Sequence, residues 1–89
     1  KKISDNLILI YVKNSQKYTR VGISSVKNYG NSVQRNKITR RIRSIIRNAN
    51  IIYGNDIVIM ARKKSKESKF SIIEEELNRL LTSAGLTSR

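Results

Sequence analysis

One segment constrains the fold of this chain more than any other, because it carries two very different faces at helical spacing. Its apolar side chains recur three or four positions apart, at Ile38, Ile42 and Ile45, as on one side of an α-helix. Positively charged side chains occupy the opposite side, and no acidic residue lies between Arg35 and Arg47. The pattern predicts an amphipathic helix whose isoleucines require a core to cover them.

The charged side of this helix predicts a polyanionic partner. Runs of charge are usually solvated helix faces with ion pairs between residues three or four apart, but this helix has no acids to form them. Its cations therefore repel one another, and a phosphate backbone would relieve that repulsion. The charged stripe comprises Asn36, Arg40, Arg43 and Arg47, widened on one flank by Lys37 and Arg41.

Composition supports the same interpretation. The 89 residues carry a formal net charge of +13, which is typical of proteins that bind nucleic acid. From Lys1 to Lys66 the only acidic residues are Asp5 and Asp56, so we expect a polyanion to meet the first three quarters of the chain. The length and the hydrophobic fraction of 38% predict a single domain, residues 1–89, with one modest core.

The chain offers little for catalysis of its own. It contains no histidine and no cysteine, which excludes imidazole acid–base chemistry, thiolate nucleophiles, disulfides and the corresponding metal sites. We therefore expect no catalytic residue and no bound metal in the protein alone. No apolar run approaches the ~18 residues of a membrane span, and we expect a cytoplasmic protein.

The pattern of elements predicts an α/β sandwich of the α+β type, in the order strand, strand, helix, strand, helix. Asn31 and Gln34 form a predicted capping box before the basic helix, which should end near residues 48–50. The second strand should run antiparallel to the first, because the connection is short. The other predicted elements are strands at Leu7–Val12, Arg20–Val26 and Asp56–Ala61, a basic loop at Arg62–Lys66, and a helix from a Ser71–Glu74 capping box to Gly85.

Four stretches of the chain resemble the bacterial ribonuclease P protein family. They are Arg20–Ser24, Gly30–Val33, Arg35-Asn36-Lys37-Ile38 and Asp56–Ile59 with the following Ala61-Arg62. The resemblance extends from about Leu7 to Leu86. It implies a subunit of the ribonucleoprotein that removes the 5′ leader from precursor tRNA, in which the RNA subunit carries the catalytic chemistry with Mg²⁺.

The resemblance also implies two features of the fold. One is a left-handed βαβ crossover in which the basic helix joins two parallel strands. The other is a helix preceding the first strand, which in this family helps to wall the leader cleft. Since the chain begins at Lys1 rather than methionine, we expect that this helix lies before it and that the sequence is truncated at its N terminus.

The resemblance assigns two groups of site residues. Those expected to contact the catalytic RNA are Arg35, Asn36, Lys37, Arg40, Arg41 and Arg43, and the charge stripe adds Arg47. Those expected to contact the leader are Lys27, Tyr11, Leu9 and Arg62; a one-residue shift of the first strand would substitute Ile10 and Ile8. Lys37 replaces the second arginine of the family's motif, which keeps the charge but weakens bidentate contacts.

Two other functions fit the sequence less well. A ribosomal-protein-like module would bind folded RNA through the same helix but would have no reason to prefer tRNA with a 5′ extension. A membrane-surface protein would use the same charges, but the apolar side of the helix has no aromatic anchor.

Overall fold

The computed structural model describes residues 1–87 and contains a four-stranded sheet with two α-helices. The predicted order of elements is confirmed, with a short first strand and a 3-10 helix added to it. No helix among the described residues is long and apolar enough to cross a bilayer. The elements are β1 (Lys2–Ile3), β2 (Leu7–Lys13), β3 (Arg20–Ser25), α1 (Ser32–Arg47), β4 (Asn55–Ala61), the 3-10 helix (Lys63–Glu67) and α2 (Phe70–Ser83).

The sheet has the strand order β1-β2-β4-β3, so β4, the last strand in the sequence, lies between β2 and β3. β2 pairs antiparallel with β4, from Leu7 with Ala61 to Lys13 with Asn55. β3 pairs with the other edge of β4 in parallel, which makes β3-α1-β4 a βαβ unit. The predicted opposite directions of β2 and β3 are confirmed, although the two strands do not pair. The hand of the crossover stays a prediction.

Both helices pack on one side of the sheet, called here the inner face. This face carries Leu7, Leu9, Ile57, Ile59 and Ala61, all of them buried. α1 packs on β3, α2 packs on β2, and the two helices contact each other. Each of the four leucine and isoleucine side chains contributes about 1.5–3 kcal/mol through its removal from water, which fixes the side of the sheet on which the helices lie.

The other side of the sheet, called here the outer face, is covered by no element among the described residues. Because side chains alternate along a strand, the partners Ile8 and Met60, and Ile10 and Val58, point to this face. Val12 follows on the same face near the end of β2. An apolar sheet face that stays open to solvent is a candidate contact surface.

The basic helix begins where the sequence predicts. The side-chain oxygen of Asn31 accepts a hydrogen bond from the backbone N–H of Gln34 at 2.9 Å, and the Gln34 side chain accepts one from the Asn31 N–H at 3.1 Å. The predicted capping box is therefore confirmed. The helix ends at Arg47 with Asn48 as its C-cap, within the predicted limits.

The start of α2 differs from its prediction. The helix begins at Phe70 with Lys69 as N-cap, and no side chain caps it, so the predicted Ser71–Glu74 capping box is wrong. The carbonyl of Lys69 already accepts the first helical hydrogen bond, from the N–H of Ile73 at 3.2 Å. Ser71 thus lies inside the first turn and cannot act as the cap.

The end of α2 is as predicted. Gly85 has a φ of +72°, which an L residue with a side chain rarely adopts. Its N–H donates to the carbonyl of Thr82 at 3.0 Å, and the next N–H, of Leu86, donates to Leu81 at 2.9 Å. These two bonds form a Schellman motif, which satisfies the last carbonyls of the helix.

The segment after β4 is more ordered than the predicted basic loop. Lys63–Glu67 forms a 3-10 helix around Ser65, whose side chain is buried and donates to the carbonyl of Arg62 at 2.8 Å. The Ser65 hydroxyl also lies 2.7 Å from the hydroxyl of Tyr29, which is buried rather than at the surface. This contact fixes the basic segment against the loop that leads into α1.

A carboxylate of α2 holds the first residues of the chain against the helix. The side chain of Glu76 accepts hydrogen bonds from the backbone N–H of Asn6 at 2.8 Å, from the Asn6 amide at 2.7 Å and from the hydroxyl of Ser4. Burial raises the pKa of Glu76, but these hydrogen bonds lower it by more, so the pKa lies below its ordinary value. The charged form therefore stabilises the folded state.

Replacement of Glu76 by glutamine should lower the free energy of unfolding at neutral pH by about 1–3 kcal/mol, the range for hydrogen bonds to a charged group. Because the folded pKa is depressed, the contribution is present above the unfolded value of about 4.3 and is lost as the pH falls through the folded pKa. Urea unfolding of the wild type and of Glu76→Gln at a series of pH values from neutral to acidic measures the difference in their free energies of unfolding, which should vanish at low pH. Glu75→Gln is the control, since Glu75 is exposed and its ion pair within residues 1–87 is with Arg79; an equal loss in the control would contradict the assignment.

Candidate nucleic-acid interface

The positive stripe of α1 faces solvent, because three isoleucines fix the rotation of the helix. Ile38, Ile42 and Ile45 are buried against the sheet and α2. Arg41 is half-buried at the edge of the stripe. The exposed members are Arg35, Asn36, Lys37, Arg40, Arg43 and Arg47.

No acidic side chain neutralises this stripe within residues 1–87. The ion pairs there join Arg20 to Asp56, Lys64 to Asp5, and Arg79 to Glu75, and none involves α1. The guanidinium groups of α1 therefore keep their donors available for a partner. Planar forks of this kind match phosphate oxygens in a bidentate manner.

A small pocket between α1 and the 3-10 helix brings a cation from outside α1, Lys66, next to the stripe. Its volume is about 120 Å³, and Lys37 and Arg41 line it from the helix. Lys66 lines it from the 3-10 helix, with its ammonium 5.6 Å from the centre of the Tyr29 ring, a cation–π distance. The sequence predicts Lys66 in a basic loop but not on this surface, because the approach of the 3-10 helix to α1, which includes the buried Tyr29–Ser65 contact, has no local sequence signal.

Two of the predicted leader residues lie at one end of the sheet. β3 and β4 are parallel and end together, with Ser25 opposite Ala61, so Lys27 and Arg62 follow at the same end. Lys27 is exposed, whereas Arg62 is half-buried and donates from its guanidinium to the carbonyl of Ser4 at 2.6 Å. The start of α1 lies beyond the same end, so these cations and the stripe form one basic region.

The other two predicted leader residues are on the inner face. Leu9 is fully buried among the helices, so its assignment to a leader contact is wrong: it has no exposed surface to offer. Tyr11 lies on the same side and is half-buried against the core. The residues of the alternative register, Ile8 and Ile10, lie on the outer face, where Ile10 is 39% exposed.

The fold and this surface define a class of protein: a small α+β RNA-binding module that packs one basic helix on one side of its sheet and leaves the other side open. The chain belongs to the bacterial ribonuclease P protein family. The family model described as Ribonuclease P matches residues 1–85. The predicted α+β fold class and the role as the protein subunit of ribonuclease P are confirmed.

Known relatives cover most of the chain. The ribonuclease P protein component of Mesoplasma florum is 42% identical over 77 residues, which are 83% of this chain and 70% of that protein. The ribonuclease P protein component of Clostridium novyi is 40% identical over 91 residues, which are 97% of this chain and 80% of that protein.

Solved structures share the fold. The ribonuclease P protein of Thermotoga maritima superimposes with a TM-score of 0.81 at 32% identity, over 90% of this chain and 78% of that one. The ribonuclease P protein of Staphylococcus aureus gives a TM-score of 0.84 at 29% identity, over 98% of this chain and 82% of that one.

Proposed function

We propose that this chain, in the bacterial cytoplasm, binds the catalytic RNA of ribonuclease P through α1 and holds the 5′ leader of precursor tRNA on the outer face of the sheet. The observation that carries the proposal is the division of the surface into two parts. One is a row of cations on α1 with no acidic partner within residues 1–87, and the other is an open apolar face on the side of the sheet away from α1.

The cleavage itself is assigned to the RNA subunit. The chain has no histidine and no cysteine, so no side chain is suited to shuttle a proton near neutral pH. Mg²⁺ belongs to the assembled complex with RNA, where it would stabilise the charges that develop at the scissile phosphate. The role of the protein is to position the substrate and to reduce the repulsion between two polyanions.

The leader is assigned to the outer face because single-stranded RNA needs both an apolar and a basic surface. Ile10 and Val58 offer flat apolar contacts to unstacked bases, and Lys27 and Arg62 lie at one end of the face for the phosphates. β4 is about 20 Å long, at ~3.3 Å per residue, so several nucleotides can extend along it.

Cleavage of a precursor tRNA at low Mg²⁺, with a bacterial ribonuclease P RNA and with or without this chain, tests the proposal. Stimulation of cleavage only when protein and RNA are both present is the expected result. Cleavage by the protein alone would contradict the assignment of chemistry to the RNA. Tight RNA binding without stimulation would favour a ribosomal-protein-like module.

Replacement of Ile10 by glutamate should reduce the preference for leader-bearing substrate by about fivefold or more. The change removes an apolar contact with bases and places a negative charge beside the phosphates. The measurement is the ratio of the dissociation constants of the protein–RNA complex for precursor and mature tRNA.

Ile72→Glu is the matched control, because Ile72 is an exposed isoleucine on α2, which packs on the opposite side of the sheet. The same change in the ratio for both variants would indicate a general effect of the added charge and would contradict a leader site on the outer face.

A further inference from the structure

Two exposed tyrosines lie at the end of the sheet opposite Lys27 and Arg62. Tyr53 is 77% exposed and Tyr18 is 50% exposed, so half or more of each residue's surface is open to solvent. Neither belongs to the core or to the surfaces described above. A large aromatic side chain left open on a protein surface is commonly part of a contact site.

Backbone hydrogen bonds hold the two tyrosines close together. The N–H of Gly54, next to Tyr53, donates to the carbonyl of Tyr18 at 3.2 Å. The Thr19 hydroxyl donates to the carbonyl of Ile52, so the residues flanking both tyrosines are joined as well. The two tyrosines therefore belong to two loops that are joined by hydrogen bonds.

The surroundings of the tyrosines suit an anion with apolar parts. Asp56, the nearby acid, is held by Arg20 at 2.7 Å and by the Asn14 amide at 2.8 Å. Lys13 and Lys17 form no ion pair within residues 1–87, so the local excess of charge is positive.

A shallow pocket adjoins this unit and extends its apolar surface. Its volume is about 240 Å³, and Val12, Lys13 and Ile52 are among its lining residues. Val12 lies on the outer face of β2, two residues beyond Ile10 toward the two loops, and is 61% exposed. Exposed aromatic rings beside unpaired lysines are the elements from which proteins build sites for single-stranded nucleic acid.

We propose that Tyr18 and Tyr53 form a stacking site for unpaired bases of single-stranded RNA, occupied by the part of the 5′ leader that extends beyond the outer face. The proposal rests on the proposed function, since the leader reaches these loops only after it has crossed the sheet from the end at Arg62. The lysines contact phosphates while the rings stack on bases, which requires no particular sequence.

Leader length gives the test. Precursor tRNAs with leaders of about 4 and about 16 nucleotides span the usual range of single-strand site sizes. The double variant Tyr18→Ala/Tyr53→Ala, assembled with ribonuclease P RNA, should bind the long-leader substrate about thirtyfold more weakly or worse, because it loses two stacked bases at ~1–3 kcal/mol each. Its affinity for the short-leader substrate should not change. The double variant Tyr18→Phe/Tyr53→Phe keeps both rings and should behave as wild type.

Two further measurements separate the possible outcomes. Phe70→Ala removes an exposed aromatic side chain at the start of α2 and should leave both affinities unchanged. An equal loss for both leaders, no loss for either, or failure of the phenylalanine variant would overturn the stacking site. If wild type itself neither stimulates cleavage nor prefers leader-bearing substrate, the proposed function fails. If wild type prefers the long leader and the alanine variant does too, only the stacking site fails.

Discussion

Replacement of Arg40, Arg43 and Arg47 together by glutamine is expected to lower the affinity of the protein for ribonuclease P RNA roughly a hundredfold at physiological ionic strength. The three guanidinium groups are exposed on α1 and have no acidic partner within residues 1–87. Each phosphate contact releases about 0.9 counterion, so the slope of log affinity against log salt should fall by about 2.7. A salt titration of RNA binding measures both quantities.

The matched control removes the same charge from another part of the chain. Lys1→Gln/Lys2→Gln/Arg79→Gln changes residues at β1 and on α2, and β1 is the edge strand farthest from β3, on which α1 packs. We expect a much smaller loss of affinity and little change in slope. If both triple variants weaken binding equally, net charge rather than the stripe on α1 determines RNA affinity.

Replacement of Ile42 by alanine is expected to lower the free energy of unfolding by about 2–5 kcal/mol. Ile42 is fully buried at the middle of α1, where its side chain fills the space between the helix and the sheet. A domain of this size has a total stability of about 5–15 kcal/mol, so the variant should lose a large part of it. Urea unfolding followed by circular dichroism provides the measurement.

Val33→Ala is the control for this loss, because Val33 lies on the same helix and is 72% exposed. Its effect should stay within about 0.5 kcal/mol, as for other surface substitutions. Similar losses at both positions would contradict the assignment of the loss to core packing, since alanine is a better helix former than either residue that it replaces.

The sequence predicts the elements of this fold better than their arrangement. Local signals determine α1 completely: Asn31 and Gln34 set its start, and the isoleucine spacing sets its buried side. The capping box at Ser71 failed because a hydrogen bond to the Lys69 carbonyl starts α2 earlier. The position of β4 between β2 and β3 was not expected, since pairing between distant strands leaves no local mark in the sequence.

The residues of the candidate site are likewise predicted well where a local pattern places them and poorly where strand pairing places them. The sequence predicts the cations of α1 because helical spacing places them opposite the core, and the structure shows all of them exposed except Arg41, which is half-buried. The strand residues were less certain, because a shift of one residue exchanges the two faces of a sheet. Leu9 was therefore assigned to the surface although it is buried, while Ile10 lies at the surface. Lys66 depends on the buried Tyr29–Ser65 contact and has no local signal.

The place of β4 in the middle of the sheet sets the order in which the molecule can assemble. β2 and β3 are synthesised first but do not pair with each other. Each can form its hydrogen bonds with β4 only after the chain beyond Asn55 has been made. The dominant contacts thus join residues far apart in sequence, which slows folding relative to a protein of local contacts. We therefore expect that the arginines of α1 are exposed in the nascent chain before the fold holds them in one orientation. Their alignment into one RNA-binding row should come only when β4 closes the sheet.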